Sequence, residues 1–160
     1  MLRERVYKTD IEDSSALVET ETLFDSKLSI AYNDVTETLE VRWVGCVSSY
    51  EVREAYNLMM DYVQQHKPVK WLLDFQERDR IRRHDQRWVF SNFFPEALRI
   101  VGEDIFVAVI LPIGASHELV HELDGDELIQ DENFMIINHF IYKEAALRWL
   151  ALDNSVKAGA

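Results

Sequence analysis

The period of apolar and polar residues changes several times along this chain, and each change marks an element. Leu28, Ile30 and Tyr32 alternate with Ser29 and Ala31, and after the turn-like Asn33-Asp34 the run Leu39, Val41, Trp43 alternates again. Two such runs around a short polar turn predict an antiparallel hairpin. Ser48-Ser49-Tyr50-Glu51 then sets a hydroxyl at a helix start and a carboxylate three residues on, the spacing of a capping box, with about 1 kcal/mol at stake. The helix should run to about His66, because Val52, Ala55, Tyr56, Met59 and Val63 follow the i, i+3, i+4, i+7 rule and define its core face. Pro68 ends it.

Val69 to Phe75 is an apolar run of strand length, the composition of a central strand covered on both faces. A second helix is expected over about His84 to Phe94, stopped by Pro95. Ile105 to Leu111 reads as another buried strand, Ser116 to Leu123 as a short helix, and Phe134 to Asn138 as a last strand. Tyr142 to Leu152 closes the chain as a helix with Ala145, Ala146, Trp149 and Leu150 inward. A hairpin followed by strand and helix in alternation predicts an α/β fold, a mixed β-sheet with an N-terminal hairpin and crossover helices. Residues 1–22 are polar and acidic with neither period and read as an N-terminal arm; residues 153–160 read as a tail. A single domain is expected over 23–152, since no Gly/Ser-rich linker or repeat divides it.

The totals narrow the class. At 160 residues a core can form without metal or disulfide staples. Seventeen basic against 29 acidic side chains give a net charge of −12, which repels nucleic acid and anionic lipid. The start, Met1-Leu2-Arg3-Glu4-Arg5, lacks the apolar run of an export signal, and no run of 18 apolar residues occurs. A cytoplasmic protein with no membrane span is the expectation. Cys46, the lone thiol, cannot pair within the chain, and in Trp43-Val44-Gly45-Cys46-Val47 it is expected to be a small buried hydrophobe.

Five stretches in this order resemble the SpoIIAA-like branch of the STAS domain family, which is related by fold to anti-sigma-factor antagonists and described together with Sec14-type lipid binders. They are Trp43-Val44-Gly45 before a Ser-capped helix, Trp71-Leu72-Leu73-Asp74, Asp85-Gln86-Arg87-Trp88, Phe94-Pro95-Glu96-Ala97 and Glu144-Ala145-Ala146-Leu147-Arg148-Trp149-Leu150. Together they span roughly Leu28 to Leu150. The resemblance implies a STAS-like fold and a binding or regulatory role without catalysis or cofactor, serving a protein partner or a small acidic or apolar ligand. It also implies a phosphorylated Ser or Thr just after the middle strand, but Gln76-Glu77-Arg78-Asp79-Arg80-Ile81-Arg82-Arg83 contains neither, which argues against a phospho-switch here.

Three places carry candidate chemistry. The same Arg-rich stretch lies where ligands gather in open α/β sheets, beyond the carboxyl end of a strand. Five of the chain's 11 arginines, Arg78, Arg80, Arg82, Arg83 and Arg87, fall within ten residues and offer forked donors for a carboxylate or phosphate. The first four of these, with Asp74 and Trp88, form the candidate ligand site, and the competing reading is a solvated loop whose charges pair locally with Glu77, Asp79 and Asp85. His117-Glu118-Leu119-Val120-His121 matches the zinc-protease pattern, in which two imidazoles four apart bind zinc and the Glu takes a proton from the zinc-bound water. No His or Glu follows at a recognised third-ligand spacing, so a zinc-dependent hydrolase stands as the alternative to a binding domain. Asp74 sits where a receiver domain holds its phosphorylated Asp, yet the acidic pair and the Lys-Pro that such chemistry needs are missing, and an acceptor of loop amides is expected.

Trp88, Val89, Phe90, Phe93 and Phe94 put apolar side chains around nearly the whole second helix. Leu58, Met60 and Tyr62 widen the apolar arc of the first helix to about 200°, against a usual stripe of about 100°. Core packing, a homodimer or an apolar ligand pocket would each cover such surface.

Overall fold

A computed structural model describes residues 4–9, 17–79, 81–112, 127–130 and 132–159. Among the described residues eight strands, β1 (Glu4–Thr9), β2 (Leu17–Leu23), β3 (Leu28–Asn33), β4 (Thr38–Gly45), β5 (Lys70–Arg78), β6 (Ile105–Ile110), β7 (Glu127–Gln130) and β8 (Asn133–Phe140), form one sheet in spatial order β1-β2-β3-β4-β5-β6-β8-β7. The hairpin is present: β3 (Leu28–Asn33) and β4 (Thr38–Gly45) are antiparallel, pairing Leu28 with Trp43, Ile30 with Val41 and Tyr32 with Leu39. Its turn is closed by Asn33, whose Oδ1 accepts the amides of Val35 and Thr36.

Helix α1 (Ser49–His66) begins at the expected capping box. The Ser48 hydroxyl accepts the Glu51 amide at 3.1 Å, and a Glu51 oxygen accepts the Ser48 amide at 3.0 Å. It stops at Lys67, which turns left-handed (φ 48°) ahead of Pro68. The chain then enters β5 (Lys70–Arg78), parallel to β4 on one side and to β6 (Ile105–Ile110) on the other. β8 (Asn133–Phe140) continues the sheet parallel to β6, and β7 (Glu127–Gln130) lies antiparallel at its edge.

Two apolar layers follow from strand alternation. On one face Trp71, Leu73, Val107 and Ile137 pack under α1 and under a helical run over residues 83–101. On the other, Leu72, Ala108 and Ile110 pack against Ala146 and Leu150 of α4 (Lys143–Gly159). β5 is thus covered on both faces, as its unbroken apolar run requires. The Trp71 indole satisfies itself by donating to the Pro68 carbonyl at 2.9 Å.

Three expectations change and a fourth falls outside the described residues. The residues read as an arm outside the domain, 1–22, contain two strands: β1 (Glu4–Thr9) and β2 (Leu17–Leu23) extend the sheet beyond β3. Backbone pairing suffices there without apolar alternation, and the β2–β3 turn runs through left-handed Phe24, Asp25 and Ser26 with no glycine to announce it. Pro95 does not stop the second helix. α2 (Arg83–Trp88) passes through a π-helical turn (Val89–Phe93) into α3 (Phe94–Val101), where the Phe94 amide reaches back to the Val89 carbonyl. Pro95 falls in the first turn of α3, where its missing N–H costs no helix bond. The residues read as a tail, 153–160, belong to α4 through Gly159. The short helix expected at Ser116–Leu123 lies outside the described residues.

The wide apolar arcs are covered within the chain itself. Leu58 and Tyr62 are buried. Phe93 packs edge-on to Tyr56 of α1 and against Trp71 of β5, while the Arg53 guanidinium lies 4.3 Å over the Trp88 ring. Among the described residues no helix is long and apolar enough to cross a membrane.

The α1 cap also predicts an acid response. Burial works to raise the Glu51 pKa, but the Lys27 ammonium and the Ser48 amide outweigh it and hold the carboxyl below its ordinary value. A lowered folded pKa stabilises above the unfolded value, and that contribution is lost as pH falls from about 4.3 downward. Glu51→Gln should lower stability at pH 7 by about 0.5–1 kcal/mol and flatten its pH dependence below pH 5, measured by urea unfolding.

Candidate ligand-binding site

The parallel strands β5, β6 and β8 all point their carboxyl ends to the same edge of the sheet. Near that edge Leu73, Val109 and His139 stand in one register row across the three strands, on the face covered by α1 and α3. These helices do not close over the row completely. Tyr56 of α1, Val89 and Phe90 of the π turn and Phe94 of α3 form the opposite wall of a pocket, with Leu111 and Pro112 at the end of β6. The cavity is about 50 Å³ and is partly open to solvent. That is room for a compact molecule or a few waters.

One charged side chain reaches this apolar space, and a local irregularity puts it there. β4 and β5 pair Arg42 with Asp74 and then Val44 with Glu77, so β5 carries one extra residue at that point. Asp74 Oδ1 accepts the Gln76 amide inside the bulge at 3.1 Å. A bulge reverses which face later residues point to. Arg78, which plain alternation would place with Asp74 on the α4 side, turns instead under α1. There it is 9% exposed, its guanidinium 3.8 Å over the Phe75 ring and 5.8 Å from the Trp43 ring.

The Arg78 guanidinium is incompletely satisfied. Its side-chain partner is the Tyr56 hydroxyl, and Nε and Nη1 are buried without an acceptor. Burial pushes the Arg78 pKa down, with Tyr56 opposing, and pushes the Tyr56 pKa up, with Arg78 opposing. Tyr56 therefore stays a neutral hydroxyl and supplies a dipole, not a countercharge.

Of the candidate site residues, the structure brings only Arg78 into this pocket. Asp74 lies on the far face and is tied to its own loop amide, as expected of it. Arg82, the residue before α2, and Arg83 are exposed; Arg80 lies outside the described residues. Trp88 is half-buried under Arg53, away from the cavity wall. The pattern His117-Glu118-x-x-His121 also lies outside the described residues, and among the described residues no cluster of three or more His, Cys, Asp or Glu could hold a metal. The pocket residues not foreseen are Tyr56, Gln86 and His139. His139 had a signal: it continues the inward alternation of Met135 and Ile137.

Cys46 is not buried. It is exposed beyond the end of β4, where Gly45 turns left-handed (φ 81°), and its thiol donates to Asp79 Oδ2 at 3.1 Å. The Asp79 amide in turn donates to the Gly45 carbonyl at 3.0 Å, so the ends of β4 and β5 are held together beside the pocket. No protein-family model, curated protein or solved structure matches the chain.

Two outcomes follow. The Asp79 carboxylate, first by its hydrogen bond and then by its charge, raises the Cys46 pKa. Asp79→Asn should accelerate iodoacetamide labelling of Cys46 at pH 7.5, by up to about tenfold per pKa unit relieved. Replacing a buried, poorly satisfied charge by an apolar side chain of similar length is often neutral or stabilising. Arg78→Met is therefore expected to leave the thermal midpoint unchanged or to raise it, by about 2–4 °C for each kcal/mol of desolvation relieved. A midpoint well below that of the parent chain would make Arg78 a structural strut.

Proposed function

We propose that the chain is a non-catalytic binding domain of regulatory type, STAS-like in architecture, whose ligand site is the pocket beside Arg78. The observation that carries this reading is an apolar cavity at the carboxyl ends of parallel strands with a buried guanidinium in its wall. The order of elements supports it: a hairpin, a capped helix, a central parallel strand, a helical crossover and a closing helix follow one another as the resemblance implies. With no hydroxyl between Gln76 and Arg83, this domain responds to what it binds and not to phosphorylation of that segment.

Occupancy is tested with benzyl alcohol, a small neutral apolar probe. At millimolar concentration it should shift the methyl resonances of Leu73, Val109 and Ile137 in the parent chain. Val109→Phe, which fills the cavity, should abolish the shifts while the rest of the spectrum is retained. The absence of any shift in the parent chain overturns the pocket as a ligand site. The rival zinc hydrolase is tested separately, since stoichiometric zinc in protein purified without chelator would favour His117, Glu118 and His121 over a purely binding role.

A further inference from the structure

We infer that the pocket takes a small monocarboxylic acid with a compact apolar body, its carboxylate set against the Arg78 guanidinium and its body among the apolar side chains of the sheet. This rests on the reading of the pocket as the ligand site and adds the chemical class of what fills it.

The argument begins with the charge. A guanidinium this deeply buried normally has a carboxylate beside it, because the cost of removing it from water is several kcal/mol. Among the described residues Arg78 has none: its burial is opposed only by the neutral Tyr56 hydroxyl. The aromatic neighbours do not fill the gap. Phe75 and Trp43 meet the guanidinium through their ring faces, and a ring face stabilises the charge without accepting the in-plane N–H bonds of the fork. Two of the three nitrogens, Nε and Nη1, remain buried without an acceptor. A buried donor left unpaired is costly enough that native chains seldom keep one without a use for it.

The walls then select among anions. None of the residues lining the pocket is a carboxylate, and Arg78 is its one permanent cation among the described residues. One negative charge is therefore neutralised, while a dianion such as phosphate brings a second with no fixed countercharge. Leu73, Val109, Val89, Phe90 and Phe94 line the rest of the pocket with hydrocarbon, which an inorganic anion cannot use. A planar carboxylate matches the guanidinium fork, and a short aliphatic or aromatic body takes the remaining space. The cavity volume of about 50 Å³ excludes a long acyl chain lying wholly within it. The bulge in β5 has a reason on this view, because it is what turns Arg78 from the α4 side of the sheet into the pocket.

The test compares acids with their own amides, which match them in shape and differ in charge. Benzoate against benzamide, and isobutyrate against isobutyramide, are titrated into the full chain by NMR or calorimetry, with inorganic phosphate and benzyl alcohol alongside. At least one acid should bind at least about tenfold more tightly than its amide. In Arg78→Met, and in Arg78→Gln should the first variant misfold, that preference should vanish while benzyl alcohol still binds. Amides binding as tightly as acids, or phosphate more tightly than either, overturns the acid class and leaves the pocket reading standing. An acid preference that survives both substitutions overturns the role of Arg78. If neither acids nor benzyl alcohol bind, both readings fall together.

Discussion

The structure depends on covering β5 from both sides. Its side chains alternate between Trp71 and Leu73 on one face and Leu72 on the other, all nearly inaccessible. A strand of that kind cannot lie at an edge or over water, and parallel neighbours on both sides require the chain to cross over between strands. α1 supplies one crossover and the run from α2 through α3 the next, both on the face of Trp71, while α4 closes the face of Leu72. Once the strands run parallel, their carboxyl ends gather at one edge. The pocket is a product of that arrangement, because the crossover helices must leave the sheet there and do not seal the space behind them.

Within this frame the sequence was legible where burial and local chemistry agree. The Ile30 and Val41 alternation, the Ser48 cap and the Trp71 run each state their structure in a few residues, and each element lies where its pattern places it. The pattern failed in two ways. β2 carries Thr20, Glu21 and Thr22, polar on both faces, so apart from Leu23 in the core no alternation marks it, and backbone pairing with β1 and β3 places it in the sheet. Buried Glu21 accepts a long 3.4 Å contact from the Tyr62 hydroxyl of α1, a partner 41 residues away that no local period reveals. Pro95 misled because proline forbids a helix interior but suits a first turn, and the π turn over Val89–Phe93 provides such a restart without breaking the run.

The candidate site shows the same division. The Arg-rich stretch after Phe75 marked the correct edge of the sheet, yet charge density alone does not say which arginine turns inward. One extra residue in β5 decides it, and a bulge leaves no compositional trace in Gln76-Glu77-Arg78. Cys46 shows the converse error. Trp43, two residues before Gly45, is buried, but the left-handed Gly45 turns the chain out of the strand, and the thiol emerges at the surface against Asp79.

A set of polar contacts gathers at the ends of β4 and β5, next to the segment that carries Arg78. Lys27 bridges Glu51 at the start of α1 and donates to the Cys46 carbonyl, Cys46 holds Asp79, and Ser49 donates to buried Asp85 of α2 at 2.7 Å. Singly these contacts are weak, since those at the surface are screened by water. Together they tie the first turn of α1, the ends of β4 and β5 and the start of α2 to one another. Preorganisation of this kind matters most for a buried cation, because a guanidinium gains from an incoming anion only if its surroundings do not first relax to satisfy it. Holding Glu51, Asp79 and Asp85 on partners of their own fixes the ends of β4 and β5, and with them the segment from which Arg78 turns inward.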